Sequence, residues 1–283
     1  MKISDILKES IEVLDKNGVE DSKLSARRLL ANTLDKEKEY LIIHSDEEVS
    51  NELYELYKAK IERLKDHEPI QYILNHQEFM GFDFFVDSNV LIPQPDTENL
   101  VEEVISIANK IKKEKSEIRI LDLCTGSGAI AISLVKLLGN KVLVYASDIS
   151  EKALKIAEEN SMKNSANILF FKSDIFKEIS ELYKFDIIVS NPPYIETDII
   201  KTLSEEVKRE PIIALDGGKD GLDFYRKIVK DAKKYLNSDG YLAFEIGYNQ
   251  KSALEEIFKE YEYKNIYSKK DLAGNDRVVV AQI

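Results

Sequence analysis

The sequence contains a single cysteine, Cys124, and no tryptophan, and its three histidines lie in the first third of the chain. One cysteine cannot form an internal disulfide, and the histidines show no spacing typical of metal ligands. We therefore expect neither a disulfide framework nor a metal site. No apolar run approaches the roughly 18 residues that a membrane-spanning helix needs, and the amino terminus becomes polar at once. These absences favour a cytoplasmic protein without a membrane segment.

Positive charge is scarce relative to negative charge. The 283 residues include 40 Lys and Arg against 52 Asp and Glu, which gives a formal net charge of -12. Proteins that hold nucleic acid gain most of their affinity when Lys and Arg neutralise phosphates. The acidic balance therefore favours a partner other than nucleic acid. The chain is long enough for two domains, and its hydrophobic content of 43% is sufficient for a folded core in each.

The pattern of apolar residues divides the sequence into three regions. Residues 1–75 repeat apolar side chains at helical spacing and predict a small helical bundle. Aromatic and β-branched residues dominate residues 76–95 and predict a β-hairpin linker. Residues 96–283 alternate strand and helix patterns, which predicts a doubly wound α/β domain. The first region carries no catalytic pattern, so we expect it to recognise the substrate.

The third region contains seven strand candidates, which together predict a Rossmann-like sheet. They are residues 118–123, 142–147, 167–172, 185–190, 240–246, 263–268 and 277–283. Helical patterns around residues 129–138, 150–162, 222–236 and 249–260 lie between the strands. Such alternation requires mostly parallel strands with helices on both faces of the sheet.

A glycine-rich turn follows the first of these strands and leads into a helix. Glycines at such a turn let the backbone pass close to a ligand, which binds at the carboxyl ends of the strands. The turn alone also fits a nicotinamide dinucleotide, so a nicotinamide oxidoreductase remains an alternative at this point. We expect the turn to bind a cofactor through Thr125, Gly126, Ser127, Gly128 and Ala129.

Three aspartates at strand ends suggest which cofactor binds. Asp122 precedes the turn and is expected to receive the ammonium group of a methionine moiety, whereas it would repel a pyrophosphate. Asp148 ends the second strand, where a carboxylate can accept both hydroxyls of a ribose. Asp174 is expected to bond an adenine amino group while Ile175 packs on the ring. These roles favour S-adenosylmethionine, although Asp148 and Asp174 also fit simple helix caps.

A second turn, Asn191-Pro192-Pro193-Tyr194, follows the buried strand 185–190. Prolines donate no backbone hydrogen bond, so the turn presents acceptors, to which the Asn191 side-chain oxygen adds one. Two acceptors match one NH2 group, and we expect Asn191 and the Pro192 carbonyl to take both of its hydrogens. Tyr194 is expected to stack on the planar group. The turn serves a glutamine amide or the exocyclic amine of adenine or cytosine equally well.

The sequence resembles the HemK-type N5-glutamine methyltransferases of peptide chain release factors over nearly its whole length. The strongest resemblance lies in residues 68–72, 91–98, 121–128, 190–195 and 271–277, and a looser one in residues 210–226. Gln94 departs from the family, which usually has arginine between the two prolines. The resemblance implies S-adenosylmethionine as cofactor, S-adenosylhomocysteine as product and a Gly-Gly-Gln loop as acceptor. It implies that Asn191, Pro192, Pro193 and Tyr194 bind that glutamine.

Three other readings compete with this one. A methyltransferase acting on DNA or RNA amines shares the turn but is expected to carry a basic face. A glutamine methyltransferase of a ribosomal protein has a different sequence around Asp96, Thr97 and Glu98. A non-catalytic interaction protein built on the helical region has no use for the intact Asn-Pro-Pro-Tyr turn. We therefore expect release factors as partners, with no direct contact to nucleic acid.

Overall fold

The computed structural model describes all residues from 1 to 283, and the chain divides into two compact units. The first unit consists of Met1–His76 together with Ser204–Arg209. Its helices are α1 (Ile3–Lys16), α2 (Ser22–Leu34), α3 (Lys38–Ile43), α4 (Asn51–Lys65) and α5 (Ile70–Leu74). The predicted helical bundle is therefore confirmed.

Apolar side chains at helical spacing form the core of the first unit. Ile6 and Leu14 of α1, Leu30 of α2 and Tyr57 of α4 are all fully buried there. The Tyr57 hydroxyl donates to the Ala26 carbonyl at 3.3 Å, so this buried polar group is satisfied. The bundle therefore has a hydrophobic core of its own.

The second unit consists of Gln77–Leu203 and Glu210–Ile283. Its strands are β1 (Gln77–Phe79), β2 (Phe82–Phe84), β3 (Ile118–Leu123), β4 (Val142–Asp148), β5 (Ile168–Lys172), β6 (Phe185–Ser190), β7 (Leu236–Glu245), β8 (Lys264–Lys270) and β9 (Asp276–Gln282). Its helices are α6 (Pro95–Ile111), α7 (Ala129–Leu138), α8 (Glu151–Lys163), α9 (Thr197–Ile200), α10 (Ile212–Leu215), α11 (Asp223–Ala232) and α12 (Lys251–Glu260).

Seven strands of the second unit form one sheet in the order β5-β4-β3-β6-β7-β9-β8. The first five in this order are parallel, and β9 and β8 close the sheet as antiparallel strands. Every residue of β6 and all but one of β3 are buried, as expected for central strands covered on both faces. The predicted seven-stranded α/β fold is confirmed.

The strand order reverses at β3, which pairs with β4 on one side and with β6 on the other. The chain therefore leaves the carboxyl ends of β3 and β6 in opposite directions. A crevice opens at such a switch point, and ligands of doubly wound sheets bind there. The fold places the glycine turn and the Asn-Pro-Pro-Tyr turn side by side at this crevice.

Two local features differ from the sequence prediction. The hairpin β1–β2 occupies only Gln77–Phe84 and belongs to the second unit instead of forming a separate linker. The helix predicted to end near residue 236 ends at Ala232, and β7 begins at Leu236. The carbonyl of Tyr235 accepts a hydrogen bond from Phe185 N at 2.8 Å, so pairing with β6 extends β7 toward its amino end.

None of the helices is long and apolar enough to span a bilayer.

Candidate active site

A cleft of about 860 Å³ opens at the carboxyl ends of the parallel strands. The cleft lies outside the carboxyl ends of the strands, where ligands of doubly wound sheets bind. The cleft is bordered by the glycine turn, the ends of β4 and β5, the Asn-Pro-Pro-Tyr turn and α11. Its lining residues are Asn89, Val90, Leu91, Cys124, Gly126, Ser147, Asp148, Ile149, Ser150, Ala153, Ser173, Asp174, Ile175, Asn191, Pro193, Ile213, Ala214, Phe224 and Lys227.

Asp148 lies at the end of β4 and holds the glycine turn against the cleft. Its Oδ2 accepts from Gly126 N at 2.9 Å, and its Oδ1 accepts from Ser150 N at 2.9 Å. Each oxygen has a further lone pair that a ligand hydroxyl can use. Burial raises the pKa of Asp148, and the backbone hydrogen bonds from Ser150 and Gly126 oppose the rise. The carboxylate is thus fixed in direction and faces the cleft.

Asp174 and Ile175 follow β5 and border the same cleft. The Asp174 carboxylate pairs with the Lys177 ammonium on its exposed side. Ile175 has a φ of 56°, a left-handed backbone conformation that is unusual for a β-branched residue. Cys124, which also borders the cleft, has a φ of 59°. Residues in such strained conformations cluster at ligand sites, where the packing of the surrounding structure offsets the strain.

Four residues that the sequence assigned to the cofactor do not border the cleft: Thr125, Ser127, Gly128 and Ala129. Thr125 and Ser127 are buried behind the turn. Gly128, with a φ of 82°, precedes α7, and a Cβ on it would lie 3.2 Å from the Cβ of Ala157 in α8. These residues give the turn its shape, while Gly126 faces the cleft directly.

Asp122 lies in β3, directly before the glycine turn. Its side chain is fully buried and is not among the residues that border the cleft, so its contact with a ligand ammonium group stays a prediction. Its Oδ2 accepts from the Thr125 hydroxyl at 2.6 Å. Burial raises the pKa of Asp122 to about 7. The carboxylate therefore supports the glycine turn through Thr125.

The Asn-Pro-Pro-Tyr turn begins directly after β6. The preceding Ser190 hydroxyl donates to the Leu123 carbonyl at 2.7 Å and joins this turn to the end of β3. Asn191 and Pro193 border the cleft, and Pro192 is buried. Asn191 Nδ2 donates to Thr97 Oγ1 at 3.1 Å. Since the amide nitrogen is engaged by Thr97, Asn191 Oδ1 is left as the free acceptor.

Tyr194 is held at both its hydroxyl and its carbonyl. The hydroxyl donates to Glu245 Oε1 at 3.2 Å, and burial raises the pKa of Tyr194 well above its usual range. The carbonyl accepts from Gln250 Nε2 at 2.9 Å. Gln250 is itself buried and also accepts from Gly247 N at 3.0 Å through Oε1. The turn is therefore fixed from the side opposite the cleft.

Two glycines allow a neighbouring loop to pack against the same turn. A Cβ on Gly217 would lie 2.7 Å from the Tyr194 Cα, and one on Gly221 would lie 2.3 Å from the Tyr194 carbonyl oxygen. Gly217 N donates to the Ile195 carbonyl at 2.8 Å, and Ile195 N donates to the Leu215 carbonyl at 3.0 Å. This close approach explains the glycines in the looser motif of residues 210–226.

Sequence reasoning missed several residues that build this site. Thr97, Glu245 and Gln250 hold the Asn-Pro-Pro-Tyr turn, and Phe224 and Lys227 border the cleft. Glu245 could have been predicted from the sequence, because it is an acidic residue at the carboxyl end of a predicted parallel strand. Gln250 lies beyond that strand in a segment without a recognisable motif, so only the three-dimensional structure reveals it.

Both units of the chain match known protein families. Residues 5–74 match the family model described as PrmC N-terminal domain, and residues 114–279 match the one described as methyltransferase domain. A release factor glutamine methyltransferase of Clostridium botulinum is 42% identical over 100% of this chain and 99% of its own length. A second, from Fusobacterium nucleatum, is 41% identical over 98% of this chain and 78% of its own length.

The fold is also found in solved structures. A methyltransferase from Pyrococcus furiosus superposes with a TM-score of 0.54 and 21% identity. The superposition covers 71% of this chain and 89% of that chain. At this identity the likeness concerns the fold of the second unit's sheet and helices.

Proposed function

Since this chain belongs to the release factor glutamine methyltransferases, we propose that it methylates the side-chain amide nitrogen of the glutamine in a release factor's Gly-Gly-Gln loop. S-adenosylmethionine is the proposed methyl donor, and the products are N5-methylglutamine and S-adenosylhomocysteine. Because its acceptor belongs to translation termination, we place the reaction in the cytoplasm. Neither a metal nor a nucleic acid has a part in this proposal.

The residues around the cleft fit the proposed cofactor. Asp148 offers a half-buried carboxylate for the ribose hydroxyls, and Asp174 offers an acceptor for the adenine amine. Ile175 and Phe224 supply apolar surface for the ring. When bound, S-adenosylmethionine supplies an electrophilic methyl group on a sulfonium. The protein needs only to place a nucleophile in line with that methyl group.

The reaction requires a nucleophile from an amide, whose nitrogen lone pair is delocalised into the carbonyl. Asn191 Oδ1 and the Pro192 carbonyl are proposed to accept the two amide hydrogens and so direct the nitrogen lone pair. Tyr194 is proposed to stack on the amide plane, and Pro193 to border the pocket. The proton leaves the nitrogen after methylation, so no strong base is needed.

The orientation of Asn191 carries the proposal. Its Nδ2 is engaged by Thr97 at 3.1 Å, which leaves an oxygen, and not an NH2 group, for the substrate. Incubation with labelled S-adenosylmethionine and separate release factor, ribosomal protein and DNA acceptors tests the function. We expect one added methyl group on the Gly-Gly-Gln glutamine alone, detected by mass spectrometry. Transfer to DNA or to another residue type would overturn the proposal.

Asp148 provides a test of the cofactor site. We expect Asp148→Ala to weaken S-adenosylmethionine binding by about 1.5 to 3 kcal/mol, since hydrogen bonds to a charged group are worth about that much. Calorimetry measures the dissociation constant. Asp198→Ala, an exposed acid on α9, is the matched control and should bind as the wild type does. If the Asp148→Ala protein bound S-adenosylmethionine as tightly as the wild type does, Asp148 would not be part of the cofactor site. Tight binding of NADH would contradict S-adenosylmethionine as the cofactor.

The helical first unit is proposed to recognise the release factor outside its glutamine loop. Its helix α3 ends in two apolar side chains, Ile42 and Ile43, that are 65% and 76% exposed. We expect the double change Ile42→Asp and Ile43→Asp to raise the KM for a full-length release factor, because a charged surface replaces an apolar one. A short Gly-Gly-Gln peptide should keep its KM, which controls for damage to catalysis. An unchanged KM for the full-length release factor would show that α3 takes no part in its recognition.

A further inference from the structure

Residues 85–92, which we call the strap, lie between β2 and α6 and form neither a helix nor a strand. Three of them, Asn89, Val90 and Leu91, border the cleft, and Val90 is also buried. An irregular segment lacks the ladder of hydrogen bonds that fixes a strand, so other groups must satisfy and hold its backbone. Two buried side chains from distant parts of the sequence do so at its two ends.

Asn160 of α8 holds the first residue of the strap. Its Oδ1 accepts from Phe85 N at 2.7 Å, and its Nδ2 donates to the Phe85 carbonyl at 3.0 Å. The same Nδ2 donates to the Ser127 carbonyl in the glycine turn at 2.9 Å. Asn160 is fully buried, where hydrogen bonds are stronger than in water. One side chain therefore joins this end of the strap to the glycine turn.

Glu210 holds the other end of the strap. Its Oε2 accepts from Ile92 N at 3.0 Å, and the residue is 7% exposed. It precedes α10, which also borders the cleft. The carbonyl of Leu215 in α10 accepts from Ile195 N at 3.0 Å, directly after the Asn-Pro-Pro-Tyr turn. This end of the strap is therefore joined to the side of the cleft that the Asn-Pro-Pro-Tyr turn forms.

We propose that Glu210 is a positioning residue that holds the strap across the cleft, so that its three cleft residues cover bound S-adenosylmethionine. The inference rests on the proposed function, which supplies this cofactor. Both turns to which the strap is joined border the cleft, through Gly126 and Asn191. A segment that is fixed on two sides of a cleft and lines it in between spans that cleft. The cofactor can then leave only when the strap moves.

The strap is expected to open at Ile92. Movement of its first residue would break both backbone hydrogen bonds of Phe85 and disturb the glycine turn, because Asn160 holds both. Movement at Ile92 breaks the hydrogen bond from its N–H to Glu210. The Ile92 carbonyl accepts from Gln94 Nε2 at 3.1 Å, a bond within the same stretch of chain that can move with it. The bond to Glu210 therefore favours the closed strap.

Release of labelled S-adenosylmethionine into an excess of unlabelled cofactor, measured on the full-length enzyme without acceptor, tests the proposal. Glu210→Ala removes the acceptor of the Ile92 N–H. We expect it to raise the release rate about 10-fold, because a hydrogen bond to a charged group no longer favours the closed strap. Glu210→Gln keeps a side-chain oxygen that can accept from Ile92 N, so its release rate should stay close to that of the wild type.

Hydrogen exchange of the Ile92 amide gives a second readout, in the enzyme without cofactor. Exchange reports how often a hydrogen bond opens. The Ile92 amide should exchange slowly in the wild type and in Glu210→Gln, and faster in Glu210→Ala. The amides of β3 and β6 should keep their protection in all three proteins, which separates opening of the strap from a loss of global stability.

Leu91→Ala tests the cover itself without altering either anchor. It shortens a half-buried side chain of an irregular segment that borders the cleft, so the fold should tolerate it. We expect faster release of S-adenosylmethionine, while the exchange rate of the Ile92 amide stays that of the wild type. This variant tests the strap independently of how well Glu210→Ala folds.

Glu103→Ala is the matched control. Glu103 is also a glutamate of the second unit that is 7% exposed, but it does not border the cleft. Its Oε1 accepts from the Tyr267 hydroxyl at 2.7 Å, so the variant likewise removes a buried acceptor. Its release rate and the exchange rate of its Ile92 amide should both remain those of the wild type.

The outcomes distinguish this inference from the proposed function. A wild-type enzyme that does not bind S-adenosylmethionine would overturn the proposed function. A wild type that binds it, and whose Glu210→Ala and Leu91→Ala variants release it at the wild-type rate, would overturn the strap alone. Rapid release from either Glu210 variant while the Ile92 amide keeps its protection would also overturn the strap.

Discussion

Replacement of Asn191 by alanine is expected to lower kcat about 100- to 1000-fold, because a well-placed hydrogen bond made in the transition state is worth about that much. The change removes the oxygen that Thr97 leaves free toward the cleft. It does not alter Gly126 or Asp148, which form the opposite side of the cleft. The dissociation constant of S-adenosylmethionine should therefore change little.

Asn191→Asp is a sharper variant of the same experiment. It keeps an acceptor oxygen but adds a negative charge beside the sulfonium position, so the cofactor should bind at least as tightly. The aspartate cannot donate to Thr97 Oγ1, so the geometry of the turn is disturbed and kcat should still fall. Single-turnover kinetics with a release factor fragment would separate chemistry from binding. Near-normal turnover by Asn191→Ala would show that the amide-acceptor mechanism is wrong.

Gly221→Ala should cause the second large loss of activity, through the backbone of the catalytic turn. Gly221 has a φ of 71°, and its Cβ would lie 2.3 Å from the Tyr194 carbonyl oxygen and 2.6 Å from Gln250 Nε2. Left-handed backbone costs an alanine about 1 to 2 kcal/mol, and overpacking adds about 1 to 3 kcal/mol. Displacing the turn by about 1 Å is enough to lower kcat about 100-fold.

Gly18→Ala supplies the matched control for this change. Its φ of 70° is nearly the same, but no atom lies within 4 Å of the position that a Cβ would take. It should lower the free energy of unfolding by the backbone strain alone and leave kcat unaltered. Thermal unfolding and kinetics of both variants, measured together, isolate the steric effect. Equal kcat values for the two variants would mean that close packing at Gly221 does not position Tyr194.

The regular parts of the fold follow from local sequence patterns. β3 and β6 are short apolar runs bounded by polar residues, and α7 begins directly after Gly128, so their bounds were predicted to the residue. The helix predicted over residues 222–236 was drawn too long. Its apolar spacing continues past Ala232, but Tyr235 and Leu236 already pair with Phe185 of β6. Strand pairing is a long-range contact, which local periodicity does not contain.

The candidate site was predictable where the motif residues themselves border the cleft. Gly126, Asp148, Asp174, Ile175 and Asn191 all border one cleft, although they come from four different strand ends. The direction of a side chain was harder to predict. Asp122 lies next to the glycine turn in sequence, yet its carboxylate points into the protein interior and bonds Thr125. The hydrogen bonds from Asn191 to Thr97 and from Tyr194 to Glu245 join distant parts of the sequence, so only the folded chain brings these residues together.

The division of the chain into units bears on how the protein is made. Ser204–Arg209 belongs to the helical unit although it follows the catalytic turn in sequence, and Arg209 donates to the Asp66 carbonyl at 2.7 Å. A ribosome therefore releases the five helices long before it synthesises the segment that completes their unit. The returning segment emerges only after β3 to β6, whereas the core of the bundle lies entirely within its first 74 residues. Truncation of the chain after residue 76, or transfer of residues 1–76 to another protein, would separate the bundle from Ser204–Arg209.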